Sequence, residues 1–363
     1  MKKLLALLLV FSFALVGCGS SDDKDDDAKK DDGAEIALIT DAGDINDKSF
    51  NQSAWEAVEE FGKETDTSYK YYKPSSFDTA GYATEIENAV DNGAKVVVCP
   101  GFKFQDAMGE AQTKYPDVKF IMIDAYPTIN EEAVDIEKNV YSVTYLEQQP
   151  GYLAGYAAVK DGHTKLGFMG GIAVPAVINF GYGYVQGALA AAEEMGVTIE
   201  VKYTYTGTFT ESPDIKAQAA SWYNDGTEVI FSCGGGICNS VFAAAEEAGK
   251  LTIGVDSDQK DASKTVVTSA IKGVRNSVYD ALKDYKNDKF PSGGQVLDAS
   301  GDYVGLSDDF SRFTTFTADD YKVIYDEVKA GKIEIKGNSD VNANGDPSSF
   351  ATDTMKIDYF SSN

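Results

Sequence analysis

Histidine occurs once in the 363 residues, at His163, next to a glycine in a turn-like stretch. One imidazole is a poor supply for His-based catalysis, and no His-rich or Cys-x-x-Cys pattern points to a metal. Cysteine is nearly as sparse, with four in the chain. Cys99 and Cys233 lie in apolar runs and read as small buried hydrophobes. A Cys233–Cys238 disulfide stays open, since the spacing is not diagnostic. Basic residues are outnumbered, 32 Lys and Arg against 58 Asp and Glu, for a net charge of −26. That argues against DNA or RNA as a partner, because polyphosphate binding needs clustered cations. Small neutral or cationic ligands stay admissible, and much of the charge is solvated surface. No Lys-Ser/Thr pair follows the Gly234–Gly236 run, so it is not a P-loop. The apolar run from Leu4 to Val16 is too short for a comfortable membrane span. The composition is otherwise globular, 43% hydrophobic and 25% charged, and the length suffices for two domains.

The N-terminus reads as a targeting segment. Met1-Lys2-Lys3 is basic, the apolar run follows, and Leu15-Val16-Gly17-Cys18 closes it, giving a signal peptide over 1–17. Small residues before a cysteine at that point resemble the bacterial lipobox. The resemblance implies cleavage before Cys18, a lipid on its sulfur, and anchorage at the extracytoplasmic face of the cell membrane. The competing reading is a plain signal peptide with an incidental cysteine. Residues 18–34 are charged, small and aperiodic, and read as a lipidated flexible tether.

Apolar runs and amphipathic stretches then alternate. Strands are expected at 35–41, 69–73, 95–100, 119–124 and 139–144, with helices over 49–64, 79–92 and through Met108. The pattern restarts with a helix at 146–160. Strands follow at 165–170, 200–206, 228–233, 251–256 and 266–271, and helices at 177–195, 214–224 and through Glu247. Continuous apolar strands separated by helices predict parallel sheets covered on both faces, hence an α/β chain of two doubly wound units. Beyond them, 274–285 and 318–329 read as helices, and 336–363 is polar and weakly patterned.

Ligands in open α/β sheets sit beyond the carboxyl ends of the strands. Those ends carry Asp41, Gly101-Phe102, Asp124, Gly170-Gly171 with Asn179-Phe180 after it, Thr208-Phe209, Gly234–Gly236, Asp256 and Lys272. Carboxylates accept hydrogen bonds from hydroxyls or base N–H groups. Aromatic rings from two domains can sandwich a flat base, and glycines admit close backbone approach. Two roles stay open for Asp41 and Asp124, helix N-cap or ligand anchor. Asp44 and Asp47 read as cap or surface. Phe180 divides between core and ligand. Phe50 and Phe209 sit among polar turn residues, not on an apolar stripe.

The stretch "LITDAGDINDKSFNQSAW" at 38–55, with "GFMGGIAVPAVINFGYGYVQGA", "GTFTES", "CGGG", "GVDSDQ" and "TSAIKGV" following in order, resembles the BMP family of substrate-binding lipoproteins, from about Ile36 to about Ile335. The family's best-understood members are purine nucleoside receptors of ABC-type importers. The resemblance implies a type I periplasmic-binding-protein fold with two lobes joined by a hinge of about three strands. The N-terminal lobe is expected over 35–142 plus about 273–290, and the C-terminal lobe over 143–272 plus about 291–336. A polar tail, 337–363, lies outside it. By the same match Asp41, Phe50, Asn51 and Asp124 line the N-lobe face of a cleft. Phe209 opposes them with Phe180 nearby, Gly234 and Gly236 offer backbone, and Asp256 with Lys272 holds the ribose.

The expectation is therefore a monomeric, lipid-anchored receptor that passes guanosine, inosine or adenosine to an ABC permease. It needs no cofactor or metal, binds no nucleic acid and carries no catalytic residue. Three readings compete: a binding protein for a sugar, vitamin or signal molecule, a nucleoside-cleaving enzyme, and a surface adhesin.

Overall fold

Burial of the apolar runs, not their length, organises this chain. A computed structural model describes residues 33–361. The expected signal peptide, Cys18 and all but the last two tether residues lie outside the described residues. The first lobe opens with β1 (Ile36–Ile39), α1 (Phe50–Thr65), β2 (Tyr69–Tyr72), α2 (Thr79–Asp91), β3 (Val96–Pro100), α3 (Gln105–Lys114) and β4 (Lys119–Ile123). A two-strand hairpin, β5 (Thr128–Ile129) and β6 (Glu132–Ala133), precedes β7 (Val140–Tyr145). The second lobe runs through α4 (Gln148–Lys160), β8 (Lys165–Gly170), α5 (Pro175–Met195), β9 (Ile199–Tyr205), α6 (Pro213–Asn224), β10 (Val229–Cys233), α7 (Ile237–Ala248), β11 (Leu251–Asp256) and β12 (Val266–Lys272). The chain then returns to the first lobe for α8 (Val274–Lys286) and β13 (Gly293–Leu297). It ends in the second with β14 (Val304–Leu306), α9 (Ala318–Lys329) and β15 (Met355–Phe360).

The first sheet has the order β13-β7-β4-β3-β1-β2 and the second β14-β12-β11-β10-β8-β9-β15. All pairings within them are parallel except β12 with β14. β3 (VVVCP) is buried at every position, as a central strand covered on both faces must be. In α1, Ala54, Ala57, Val58 and Phe61 form the buried stripe, while Lys63 and Glu56 face solvent. Helices α4 and α5 lie unusually close. A Cβ on Gly155 would stand 2.0 Å from the Tyr184 carbonyl, and one on Gly187 1.9 Å from that of Tyr152.

The chain passes between sheets three times, after β7, after β12 and after β13, which makes the hinge. Two features differ from the sequence expectation, and the open question of a Cys233–Cys238 disulfide is answered. β13, expected in the C-terminal lobe, pairs in parallel with β7 of the first sheet, and β7 carries residues 143–145 with it. Residues 337–361 are built into the second lobe instead of trailing from it. β15 extends the sheet beside β9, Met355 is fully buried, and the Tyr182 hydroxyl donates to Asn342 Oδ1 at 2.6 Å. Cys233 and Cys238 are buried free thiols.

Candidate functional site

All ten residues singled out from the sequence line one cavity between the lobes. The floor is made by strand ends of both sheets, as doubly wound topology requires.

In the N-terminal lobe the turn from β1 to α1 divides its aspartates by role. Asp41 is not a helix cap. Its Oδ1 accepts from the Gly43 N–H at 2.8 Å and from Asn51 Nδ2 at 2.9 Å, while Asn51 Oδ1 accepts from the Asp41 N–H. Asp47 does the capping, accepting from the N–H groups of Ser49, Asn51 and Gln52. Asp44 pairs with Lys73 at the surface. The capped turn presents the half-buried Phe50 ring to the cavity. Asp124 follows β4 with φ 67°, a left-handed conformation that aspartate tolerates, and starts no helix. Its Oδ2 lies 2.5 Å from Lys272 Nζ, and its Oδ1 is buried without a partner.

In the C-terminal lobe Asp256, also left-handed at φ 66°, ends β11 and accepts from Ser49 Oγ at 2.5 Å across the cleft. The lobes meet again where Gln259 Nε2 and Ser257 Oγ donate to the Lys48 carbonyl at 2.8 and 3.1 Å. Phe209 enters from the loop after β9. A Cβ on Gly171 would come within 2.5 Å of its ring, so only glycine lets the ring lie on that strand end. Phe180 both lines the cavity and belongs to the core, edge-on to Phe231 at 6.0 Å. Lys272 is 3% exposed, with Nζ 4.9 Å from the Phe50 ring centroid.

Burial pushes the Asp41 carboxyl up to about 6, against the opposing hydrogen bonds from Asn51 and Gly43. Burial also lifts Asp256 to about 6, against the pull of Lys272. Burial works against the Lys272 ammonium too, but Asp124, Glu147 and Asp256 outweigh it and hold the proton more firmly than usual. The cavity thus carries several carboxylates and one already neutralised cation. It suits hydroxyl and N–H donors and repels phosphate.

The sequence reading placed Gly101, Phe102 and Gly235 at strand ends without assigning them to the ligand, and it passed over Gly43, Asp47 as a wall, Val174 to Val177, Cys233 and Val255. Phe102 and Gly235 were legible, since each stands at a strand end. Val174 to Val177 open α5, and nothing in their spacing separates a cavity wall from core.

The chain matches the Bmp family, described as "ABC transporter substrate-binding protein PnrA-like", over residues 34–344. It is 35% identical over 311 residues to the ABC transporter nucleoside-binding protein BmpA of Lactococcus lactis subsp. cremoris, covering 79% of this chain and 85% of that one. It is 30% identical to basic membrane protein D of Borreliella burgdorferi over 313 residues, 85% of each chain. Among solved structures, an ABC transporter solute-binding protein of Aeropyrum pernix K1 superposes with a TM-score of 0.72 at 23% identity, over 82% of this chain and 92% of that one. A solute-binding protein of Conexibacter woesei superposes at 0.66 and 21%, over 84% and 99%. These likenesses carry the fold, a type I periplasmic-binding-protein architecture. With a match spanning both lobes and the cleft between them, the chain belongs to the Bmp family of ABC transporter substrate-binding proteins.

Proposed function

We propose that this protein captures a purine nucleoside between its lobes and delivers it to an ABC importer, held at the extracytoplasmic face of the membrane by a lipid on Cys18. The observation that carries the reading is a single interlobe cavity walled by Phe50 from one lobe and Phe209 from the other, with carboxylates at its strand ends. Two rings suit a flat base, and the carboxylates suit the ribose hydroxyls and base N–H groups. Asp41, Asn51 and Asp124 take one side of the ligand. Asp256 and Lys272 take the ribose, Gly234 and Gly236 offer backbone, and Phe180 closes the floor. Phosphate would face several acids, so nucleotides are rejected. The relative named a nucleoside-binding protein supports the same class. The protein makes and breaks no bond, and incubation with inosine should yield no free base. Among the described residues no helix is long and apolar enough to cross a membrane. Cys18→Ala should release the protein from the membrane fraction.

A thermal-shift screen of nucleosides, free bases, nucleotides and sugars tests the reading. A nucleoside at 100 times its Kd should stabilise the fold by about 2.7 kcal/mol. Phe50→Ala should weaken binding by roughly 1–3 kcal/mol, the worth of one base–ring stack. A shift with sugars and none with nucleosides would sink the proposal.

A further inference from the structure

We infer that Glu147, which does not line the cavity, is a positioning residue for it: from the point where the chain first crosses between lobes, its carboxylate holds Lys272 against Phe50 and so sets ligand affinity. The inference rests on the nucleoside reading for its affinity arm only.

Glu147 follows β7 and opens α4, and Lys272 ends β12 just before the second crossing. Two hinge crossings therefore meet through this pair. Glu147 Oε1 stands 3.5 Å from Lys272 Nζ, and both side chains are almost fully buried, 4% and 2% exposed. Its other oxygen, Oε2, accepts from Asn179 Nδ2 at 3.0 Å, and Asn179 Oδ1 accepts in turn from the Asn338 N–H at 2.8 Å. α5 and the C-terminal segment thereby brace the carboxylate from behind. An ammonium has three donors. Asp124 takes one at 2.5 Å from the other lobe, Glu147 attracts the charge from 3.5 Å, and Lys272 lines the cavity. Neutralising Glu147 removes one of the buried charges around Lys272 and leaves Asp124 as its close partner, so the ammonium shifts toward Asp124 and away from its place over the Phe50 ring.

The groups acting on this carboxyl are the Lys272 ammonium, Asp124, and the neighbours that share their field, Asp256, Tyr145 and Cys233. Burial raises the Glu147 carboxyl to about 7 despite Lys272. Asp41 and Asp256 titrate lower, near 6. Glu147 thus changes charge toward neutrality, with Asp41 and Asp256 raised into the range just below it. Its ionised form holds Lys272, so affinity strengthens as pH rises through that range.

The test uses the full-length protein in mild detergent. Calorimetry with inosine from pH 5.5 to 8.5 should show wild-type affinity rising with an inflection near pH 7. Glu147→Gln keeps an acceptor for Asn179 and replaces the charged oxygen facing Lys272 with a neutral amide group. It should bind about tenfold more weakly at pH 8 and lose that inflection. Glu147→Asp should retain the inflection. A ligand-free arm follows the Lys272 side-chain signal in isotope-labelled protein, assigned with Lys272→Arg. The signal should move with a midpoint near 7 in the wild type, and in the Gln variant only with the lower midpoint, near 6, of Asp256. Wild-type affinity and pH profile in Glu147→Gln, or a wild-type Lys272 signal insensitive to pH 6–8, overturns the inference. If inosine fails to bind the wild type, the nucleoside reading falls and the Lys272 signal alone decides the role of Glu147. The same signal decides it if the Gln variant does not fold.

Discussion

Asp41 is buried as a carboxylate at a cost to the stability of the ligand-free protein. Its carboxyl is raised from 3.8 to about 6, so the folded chain binds more protons than the unfolded chain between those values. Stability from this group is therefore full below about pH 4 and falls as pH rises through 6. Asp256 contributes with the same sign. Asp41→Asn should raise the urea-unfolding stability of the ligand-free protein at pH 7 by about 1–3 kcal/mol and flatten its pH dependence between 4 and 6. The same variant should weaken nucleoside binding. Unchanged stability at pH 7 would mean that the carboxylate is better solvated than its burial implies. The identity of Asp41 as a strand-end acid was legible in "EIALITD", and its freedom from capping was not. Asp47 takes the helix instead, a choice that depends on how the turn folds back over Asn51.

Among the elements, β3, β4 and β10 were readable because each is a short unbroken apolar run, the pattern of a strand covered on both faces. β15 escaped notice although Met355-Lys356-Ile357-Asp358-Tyr359-Phe360 alternates. Alternation over six residues in a polar neighbourhood is a weak signal, and its partner β9 lies about 150 residues away. The strand caps an otherwise open sheet edge, and the segment leading to it packs Phe350 edge-on against Tyr182 at 5.3 Å. Ending the chain at Lys336 should therefore cost at least about 2 kcal/mol of stability and expose the β9 edge to self-association. Urea unfolding with light scattering measures both, and full stability in the truncated protein would show β15 to be dispensable.

At the scale of the whole molecule, the lobes touch through residues proposed for the ligand, Asp256 and the Asp124–Lys272 pair, and also through residues outside that set. The Lys48 carbonyl takes two hydrogen bonds from Ser257 and Gln259, beside the Ser49–Asp256 pair. A closed form held partly by lobe-to-lobe contacts lowers the work the ligand must do to close the cleft. Gln259→Leu should weaken nucleoside affinity roughly three- to tenfold, the worth of one such bond, and shift the ligand-free ensemble toward a larger radius of gyration in solution scattering. Unaltered affinity and radius would place closure with the ligand alone.

By itself the sequence determined the alternation of strands and helices, the two lobes and the chemistry at each strand end. These follow from local periodicity and from the rule that parallel strands deliver their carboxyl ends to one edge. Tertiary structure decided what depends on residues far apart in the chain. It placed β13 with the first sheet and β15 with the second, paired Lys272 with Asp124 and buried Glu147 beside it. Those outcomes turn on which groups lose their water together, and desolvation is a property of the packed molecule, not of any segment.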